Sequence, residues 1–433
     1  MHRDSKQKTL LFFIIGYVAY TMVYLVRLNF SVASVLLQDA HILTKGQVGI
    51  IGSIFALTYA AVKIPGGYLG DRVAPKWLVA GGLFLAGISN FLIGLHPSFP
   101  MLAAFWLLNA MGQGLIWGPL LRALSEYYGT ERSKTLNPYF VSSTATGSVL
   151  GLLLSGFISD GLGAKGAFIL PGIATMLVAV AVLLYMNQVT GPKARKTAGS
   201  LTREIAGKAE ASGSEGPIPA ESGERDPGAQ KKLSPKELLT DKFFLLMILP
   251  AIGHGLIKDN LNVWLGSFFA DKYAIDIKAV SLYIFFVPVM ALIGRFLYPP
   301  LAKLFKQNHL KVSTVGFIAC VVLLIPLLIP GIPAVAAVLC LGLLSAMVSL
   351  INSYILSLFP MRYAEKNGVA MVASLMDTLT YGGAGLGSLF FGFLIGKFGY
   401  NSMFFIWMAA SVISALVLIY LNRISSGKQK ENL

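Results

Sequence analysis

The sequence predicts an all-α membrane protein: twelve transmembrane helices in two pseudo-symmetric six-helix bundles. Three observations carry this. The 433 residues are 55% hydrophobic and only 13% charged, against about 25% charged residues in soluble domains, and mean hydropathy is +0.69. A soluble fold so poor in charge cannot cover its own surface. Apolar runs of bilayer-spanning length, about 20 residues each, recur along the chain, and they fall into two sets of six around one polar stretch. Composition therefore excludes a soluble enzyme, a nucleic-acid binder and a disordered protein. The net charge of +15 has a membrane explanation, because the basic residues cluster between the apolar runs.

The first set covers 10–37, 47–70, 77–95, 101–125, 136–159 and 165–187. The basic start of the chain leads straight into the first run with no small-residue cleavage site, which reads as a retained span and not a removed signal. The second set covers 242–270, 279–305, 312–330, 333–358, 367–396 and 400–422. Three units follow: a bundle over 1–190, a linker over 191–241 and a bundle with a short tail over 242–433. The linker holds Gly, Ser, Pro, Lys and Glu and is expected to be mostly disordered, with a short helix opening at Ser234 and Pro235 in an N-cap pattern. Basic residues crowd the segments on the side of the termini. The other side holds only Lys45, Lys165, Lys272, Lys278 and Lys397, so the positive-inside rule puts both termini and the linker in the cytoplasm. Cys320 and Cys340 lie in apolar runs, with no disulfide framework or metal spacing.

Two halves of six spans around a cytoplasmic linker are the plan of a duplicated transporter. Arg27 in span 1 and Lys258 in span 7 occupy corresponding places, and an acidic residue, Asp39 or Asp271, follows each. Between spans 2 and 3 stand Gly67, Gly70, Asp71, Arg72 and Lys76. This resembles the loop motif G-x-L-x-D-R-x-x-x-(K/R) of the major facilitator superfamily. Glycines there let helices approach, and Asp71 can pair with nearby basic groups or a helix N-terminus. Within that superfamily the chain is similar to the organophosphate:phosphate antiporters, which include glycerol-3-phosphate and hexose-phosphate transporters. The likeness is carried by Tyr24-x-x-Arg27-x-Asn29-Phe30, by Tyr59 and Lys63, and by the run from Gly112 to Pro119. In the second half Pro360, Gly368, the Gly382–Gly387 run and Phe398-Gly399-Tyr400 carry it.

The resemblance implies a central anion site with one basic residue from each half, Arg27 and Lys258, and a lysine in span 2, Lys63. The glycerol-phosphate members have a span 5 histidine where this chain has Ser143 or Thr144, and an arginine where it has Lys258. Both departures tell against glycerol-3-phosphate as the particular cargo.

Chemistry adds its own reading. A charge inside a span is expensive and persists where it faces a wet cavity or a partner. A guanidinium fork suits phosphate oxygens, and Lys258 adds a compact second charge. Helical spacing groups Tyr24 with Arg27, Tyr59 with Lys63, and His254 with Lys258 and Asn262, each set on one face. The tyrosines and Asn262 are read as hydrogen-bonding groups or packing, His254 as a ligand or, more often at such a place, helix packing. Lys63 is a site residue or a gating partner of the loop motif. Asp259 is expected to point away from Lys258, since neighbours on a helix diverge by about 100°. Asp377, four residues before Tyr381, pairs with Lys258, accepts sugar hydroxyls or carries a proton. Arg122 and Glu126 form a gate or structural pair. Glycine pairs 147/151, 383/387 and 392/396 suit close helix crossings.

The expected function is a secondary active transporter of a phosphorylated organic anion, in exchange for inorganic phosphate, by alternating access. The alternatives are a proton-coupled carrier of a sugar acid and a transporter-like membrane sensor of sugar phosphate. No enzyme motif, cofactor, metal site or nucleic-acid partner is expected. The setting is a bacterial-type inner or plasma membrane, with lipid around a monomer.

Overall fold

The computed structural model describes residues 2–128, 136, 140, 142–189, 234–275, 277–366 and 368–431. Among them every regular element is a helix, and eleven stretches are long and apolar enough to cross a membrane. The chain is a multi-pass integral membrane protein. The first bundle holds α1 (His2–Asp39), α2 (Lys45–Arg72), α3 (Pro75–Leu95), α4 (Phe99–Gly114), α5 (Trp117–Tyr128) and α6 (Ser143–Val189). After the linker come α7 (Pro235–Thr240), α8 (Lys242–Tyr273), α9 (Ile277–Ile284), α10 (Phe286–Leu304) and α11 (His309–Leu324). Then follow α12 (Ala334–Ser353), α13 (Val369–Phe398) and α14 (Tyr400–Glu431). The linker reading over 191–233 lies outside the described residues. Its end forms α7, where the Ser234 side chain accepts from the Glu237 amide with Pro235 behind it, as the N-cap pattern predicts.

Eleven stretches and twelve predicted spans agree, because one stretch is double. Ser143–Met186 is 44 residues long, about 66 Å at helical rise and twice the roughly 30 Å of a hydrocarbon core. It breaks at Gly163, with φ 63° and ψ −168°, a backbone conformation that needs glycine. A Cβ on Gly166 would stand 3.0 Å from Ile158 Cγ2 and 2.5 Å from Leu162 Cβ, so the corner is tightly folded.

Two predicted spans are broken instead of continuous, and proline is the cause in each. Pro119 offers no amide to Leu115, and the chain tightens there: the Leu115 and Ile116 amides reach back three residues, to Gly112 and Gln113, at 3.2 Å each. Pro288 likewise leaves the carbonyl of Ile284 without its helical donor, and α9 ends there. Past Ser353 the last helix of the predicted tenth span widens into a π turn, Tyr354–Leu358, and then narrows into a 3-10 helix, Phe359–Lys366, through Pro360.

Short connections alternate the helix directions, so the start of α1, the end of α14 and α7 share one side, here the terminus side. The halves meet along α1 with α8, α2 with α13, and α6 with α9 and α10. On the far side the meeting is close and partly backbone to backbone. A Cβ on Gly49 would lie 3.0 Å from Gly392 Cα and 3.1 Å from its nitrogen, and one on Gly266 2.5 Å from the Ser31 carbonyl. Lys45 pairs with Asp271 at 2.6 Å, Tyr400 donates to the same carboxylate at 2.7 Å, and Gln38 donates to Ser267 at 2.9 Å. Of the glycines expected at crossings, Gly147 and Gly151 meet α1, Gly383 and Gly387 meet α8, and Gly392 meets α2; Gly396 faces open space.

Candidate functional site

Between the halves lies a cavity lined from both. Tyr24, Arg27, Phe55, Thr144 and Ser148 face it from one half, and Lys258, Asp259, Asn262, Arg295, Ser349 and Tyr381 from the other. Arg27 is held from behind by a buried amide ladder. The Val26 carbonyl accepts from Asn90 at 3.2 Å and Asn109 at 3.0 Å, Asn29 donates to Asn90 at 2.8 Å, and Gln113 donates to Asn109 at 2.8 Å. These four side chains tie α1, α3 and α4 into one rigid wall, which fixes the direction of the arginine stem.

In front, Arg27 reaches across the halves. Nη2 donates to Asp259 Oδ1 at 3.0 Å and Nη1 to the Tyr381 hydroxyl at 3.4 Å, with the guanidinium 4.6 Å from the Phe55 ring centre. Lys258 Nζ lies 3.8 Å from the other oxygen of Asp259. The expectation that Asp259 points away from Lys258 is therefore wrong. The 100° between neighbours holds for Cβ directions, but a four-carbon lysine stem bends back to a short carboxylate. One carboxylate thus stands between the two cations, and its Oδ2 is buried with no hydrogen-bond donor among the described residues. Neither Arg27 nor Lys258 is therefore without a nearby counter-charge.

Lys63 and Asp377 form a cross-half ion pair. Asp377 thus takes Lys63 as its partner, not Lys258. Tyr59 and Tyr381 pack ring to ring across the halves at 4.6 Å. Lys63 follows Tyr59 by four residues and Asp377 precedes Tyr381 by four, on helices of opposite direction. The ion pair therefore sits one turn nearer the terminus side than the aromatic pair. None of Tyr59, Lys63 and Asp377 lines the cavity; they back it. Tyr381 is the hub, its ring centre 5.5 Å from Arg27, 5.0 Å from Lys258 and 5.3 Å from Lys63. Asn262 lines the cavity while its amide donates to the Lys258 carbonyl at 3.2 Å. His254 does not reach the cavity: it is fully buried, with Nε2 3.2 Å from the Val348 carbonyl oxygen, on the packing side of α8.

The loop motif is mostly helix. Gly67, Gly70, Asp71 and Arg72 form the end of α2, and Lys76 lies in the first turn of α3. The Asp71 side chain is outside what is described. Arg122 of α5 caps this helix end, donating to the Gly70 carbonyl at 2.5 Å and the Val73 carbonyl at 3.4 Å. Glu126 holds the same guanidinium at 2.8 Å. The terminal carbonyls of a helix are orphan acceptors with partial negative charge, so Arg122 and Glu126 form a structural pair that locks α5 to α2.

Arg295 is the residue that sequence reasoning missed. The bias of basic residues counts it with the terminus-side connecting segments, yet it falls inside the predicted span 279–305, and the structure puts it mid-helix in α10 on the cavity wall. Its Nε donates to Ser349 at 3.2 Å and its Nη1 to Thr144 of the other half at 3.3 Å. The signal was its distance from the end of its own apolar run.

Residues 13–374 match the profile of the family described as Major Facilitator Superfamily. A probable hexose phosphate transport protein of Chlamydia trachomatis serovar D is 32% identical over 162 residues, 37% of this chain and 36% of that protein. A glycerol-3-phosphate transporter of Bacillus subtilis is 28% identical over 178 residues, 40% of this chain and 39% of that protein. The chain thus spans well under half the length of the curated relatives it matches. Among solved structures, a D-xylose-proton symporter superposes with a TM-score of 0.68 at 12% identity, covering 94% of this chain and 97% of that one, a likeness of fold. These proteins are transporters and not enzymes.

Proposed function

This chain belongs to the major facilitator superfamily, and from that premise we propose that it moves a phosphorylated organic anion across the membrane in exchange for inorganic phosphate, by alternating access. The observation that carries the reading is the trio Arg27, Asp259 and Lys258. Two cations, one from each half, share a single carboxylate at the wall of a two-sided cavity. A phosphate is a stronger bidentate acceptor than one carboxylate oxygen. It replaces Asp259 at the guanidinium fork of Arg27 and draws in Lys258.

That exchange of acceptors links binding to movement. Without cargo, Arg27–Asp259 and Lys63–Asp377 hold the halves to each other, and rocking them apart leaves charges in a low-dielectric wall. Cargo supplies the missing acceptor and travels with the charges. Phosphate serves on the return for the same reason, which supports exchange over a one-way cycle. The proton-coupled alternative needs Asp377 available as a carrier, and Lys63 engages it instead. In this reading both termini face the cytoplasm of a plasma or inner membrane, as the bias of basic residues supports, and the monomer is the working unit. Uptake into proteoliposomes with and without internal phosphate tests it. Exchange requires uptake that depends on internal phosphate; equal rates reject it.

A further inference from the structure

We propose that Arg295 forms a second anion subsite, so that the favoured cargo is a two-headed anion: a phosphate ester that also carries a second acidic group. This rests on the reading above for the first head only.

The two arginines of the cavity differ in what surrounds them. Arg27 is matched by the Asp259 carboxylate, and Lys63 outside the cavity by Asp377. Among the described residues Arg295 bonds only to neutral hydroxyls, Ser349 Oγ at 3.2 Å and Thr144 Oγ1 at 3.3 Å. It stands nine residues before the end of α10, about 14 Å of helix, too deep for its charge to be relieved cheaply at the membrane surface. A partly buried guanidinium at this depth, with only neutral acceptors among the described residues, is short of an anion, and it faces the cavity.

The wall around it is built to share that anion. Ser345, Ser349 and Asn352 recur along one face of α12 at the cavity; the Asn352 side-chain oxygen, buried with no donor among the described residues, suits a hydroxyl of the cargo and not its acid. Ser148 adds a hydroxyl from α6. Hydroxyls rotate to donate or accept, so this wall serves an acid's oxygens without a fixed counter-charge. The two constellations also share no helix. Arg27 is gripped from α2, α8 and α13, Arg295 from α6 and α12. They therefore address different ends of one cargo, and each reaches across the halves.

Binding to the purified full chain, by calorimetry, tests this with matched probes: 3-phosphoglycerate against glycerol-3-phosphate, and fructose 1,6-bisphosphate against fructose 6-phosphate. The first pair adds a carboxylate and the second a phosphate. We expect the two-headed member of at least one pair to bind about tenfold tighter, the size of a charge-assisted hydrogen bond. In Arg295→Gln that ratio falls below about threefold. Arg295→Lys keeps the charge without the fork, gives an intermediate ratio, and serves should the glutamine variant fail to fold. A wild-type ratio near one in both pairs overturns the proposal. So does a ratio that survives both substitutions, or equal weakening of both members of a pair, which would put Arg295 on the shared phosphate. Binding of no phosphate compound at all sinks the first-head reading and this one with it, whereas binding without preference sinks this one alone.

Discussion

The two seams that join the halves are made of different materials. On the far side the joint is tight and partly backbone to backbone, with Gly49 against Gly392 and Gly266 against Ser31 too close for any side chain, and its one ion pair, among the described residues, is the partly exposed Lys45–Asp271. At mid-depth the joint is ionic and aromatic, with Arg27 to Asp259, Lys63 to Asp377 and Tyr59 against Tyr381. The difference separates two tasks. In the proposed cycle the glycine seam is a shape lock that does not touch the anion, whereas the ion-pair seam has partners that a bound anion can replace.

The contrast breaks most sharply at Arg27. Arg27→Gln removes the charged fork while keeping the amphipathic length, and loss of one partner of a buried charge pair costs about 2–5 kcal/mol. Uptake should fall by about a hundredfold or more, with far-side closure, read as a spin-label distance between the far ends of α2 and α13, unaltered. Loss of closure together with uptake would mean that the seams are not separate.

The next largest effect lies in the glycine seam. Gly49→Leu forces α2 off α13, and overpacking of this kind costs about 1–3 kcal/mol. The far-side distance should lengthen and uptake should drop about tenfold, with anion affinity in detergent preserved. A lost affinity would make the shape lock part of the binding apparatus.

Lys63→Met strands Asp377. Unpaired buried charges cost about 3–5 kcal/mol, but these side chains remain 22% and 16% exposed, so a loss nearer fivefold in uptake is expected. The decisive measurement is the double variant with Asp377→Asn. Recovery to within about threefold of the unmodified protein marks the pair as mutual compensation, whereas additive loss would give each residue a separate task.

Lys45→Ala should do least. Its bond to Asp271 is about one-third exposed at both ends, and such pairs are worth about 0–1 kcal/mol. Transport should change by less than about fivefold, and the effect should vanish in high salt. A larger loss would move the far-side seam toward the ionic class.

The sequence made the helices legible because each needs a long apolar run, and the run over 143–186 could be counted as two from length alone. It did not reveal the interruptions at Leu115 and Phe285, although Pro119 and Pro288 stood in view, because hydropathy averages over the missing hydrogen bond. Of the residues that charge depth and helical spacing single out, Arg27, Lys258, Asn262, Tyr24 and Tyr381 line one cavity. The pairing of Asp377 with Lys63 was out of reach: it follows from α2 lying beside α13, a neighbour relation that no single span encodes. Asp259 was misread by treating side chains as rigid spokes, and Arg295 by sorting charges into connecting segments before asking how far each stood from the end of its own run.

The π turn at Tyr354–Leu358 has a consequence for which way the chain beyond it faces. It inserts one surplus residue between the cavity wall at Ser345–Asn352 and the tail at Tyr363, whose hydroxyl is moored to Asp241 at 2.6 Å. Such turns often mark functional places in a helix. One added residue turns the face that follows by about 100°, so the segment beyond it presents Tyr363 to Asp241 while Ser345, Ser349 and Asn352 keep the cavity face.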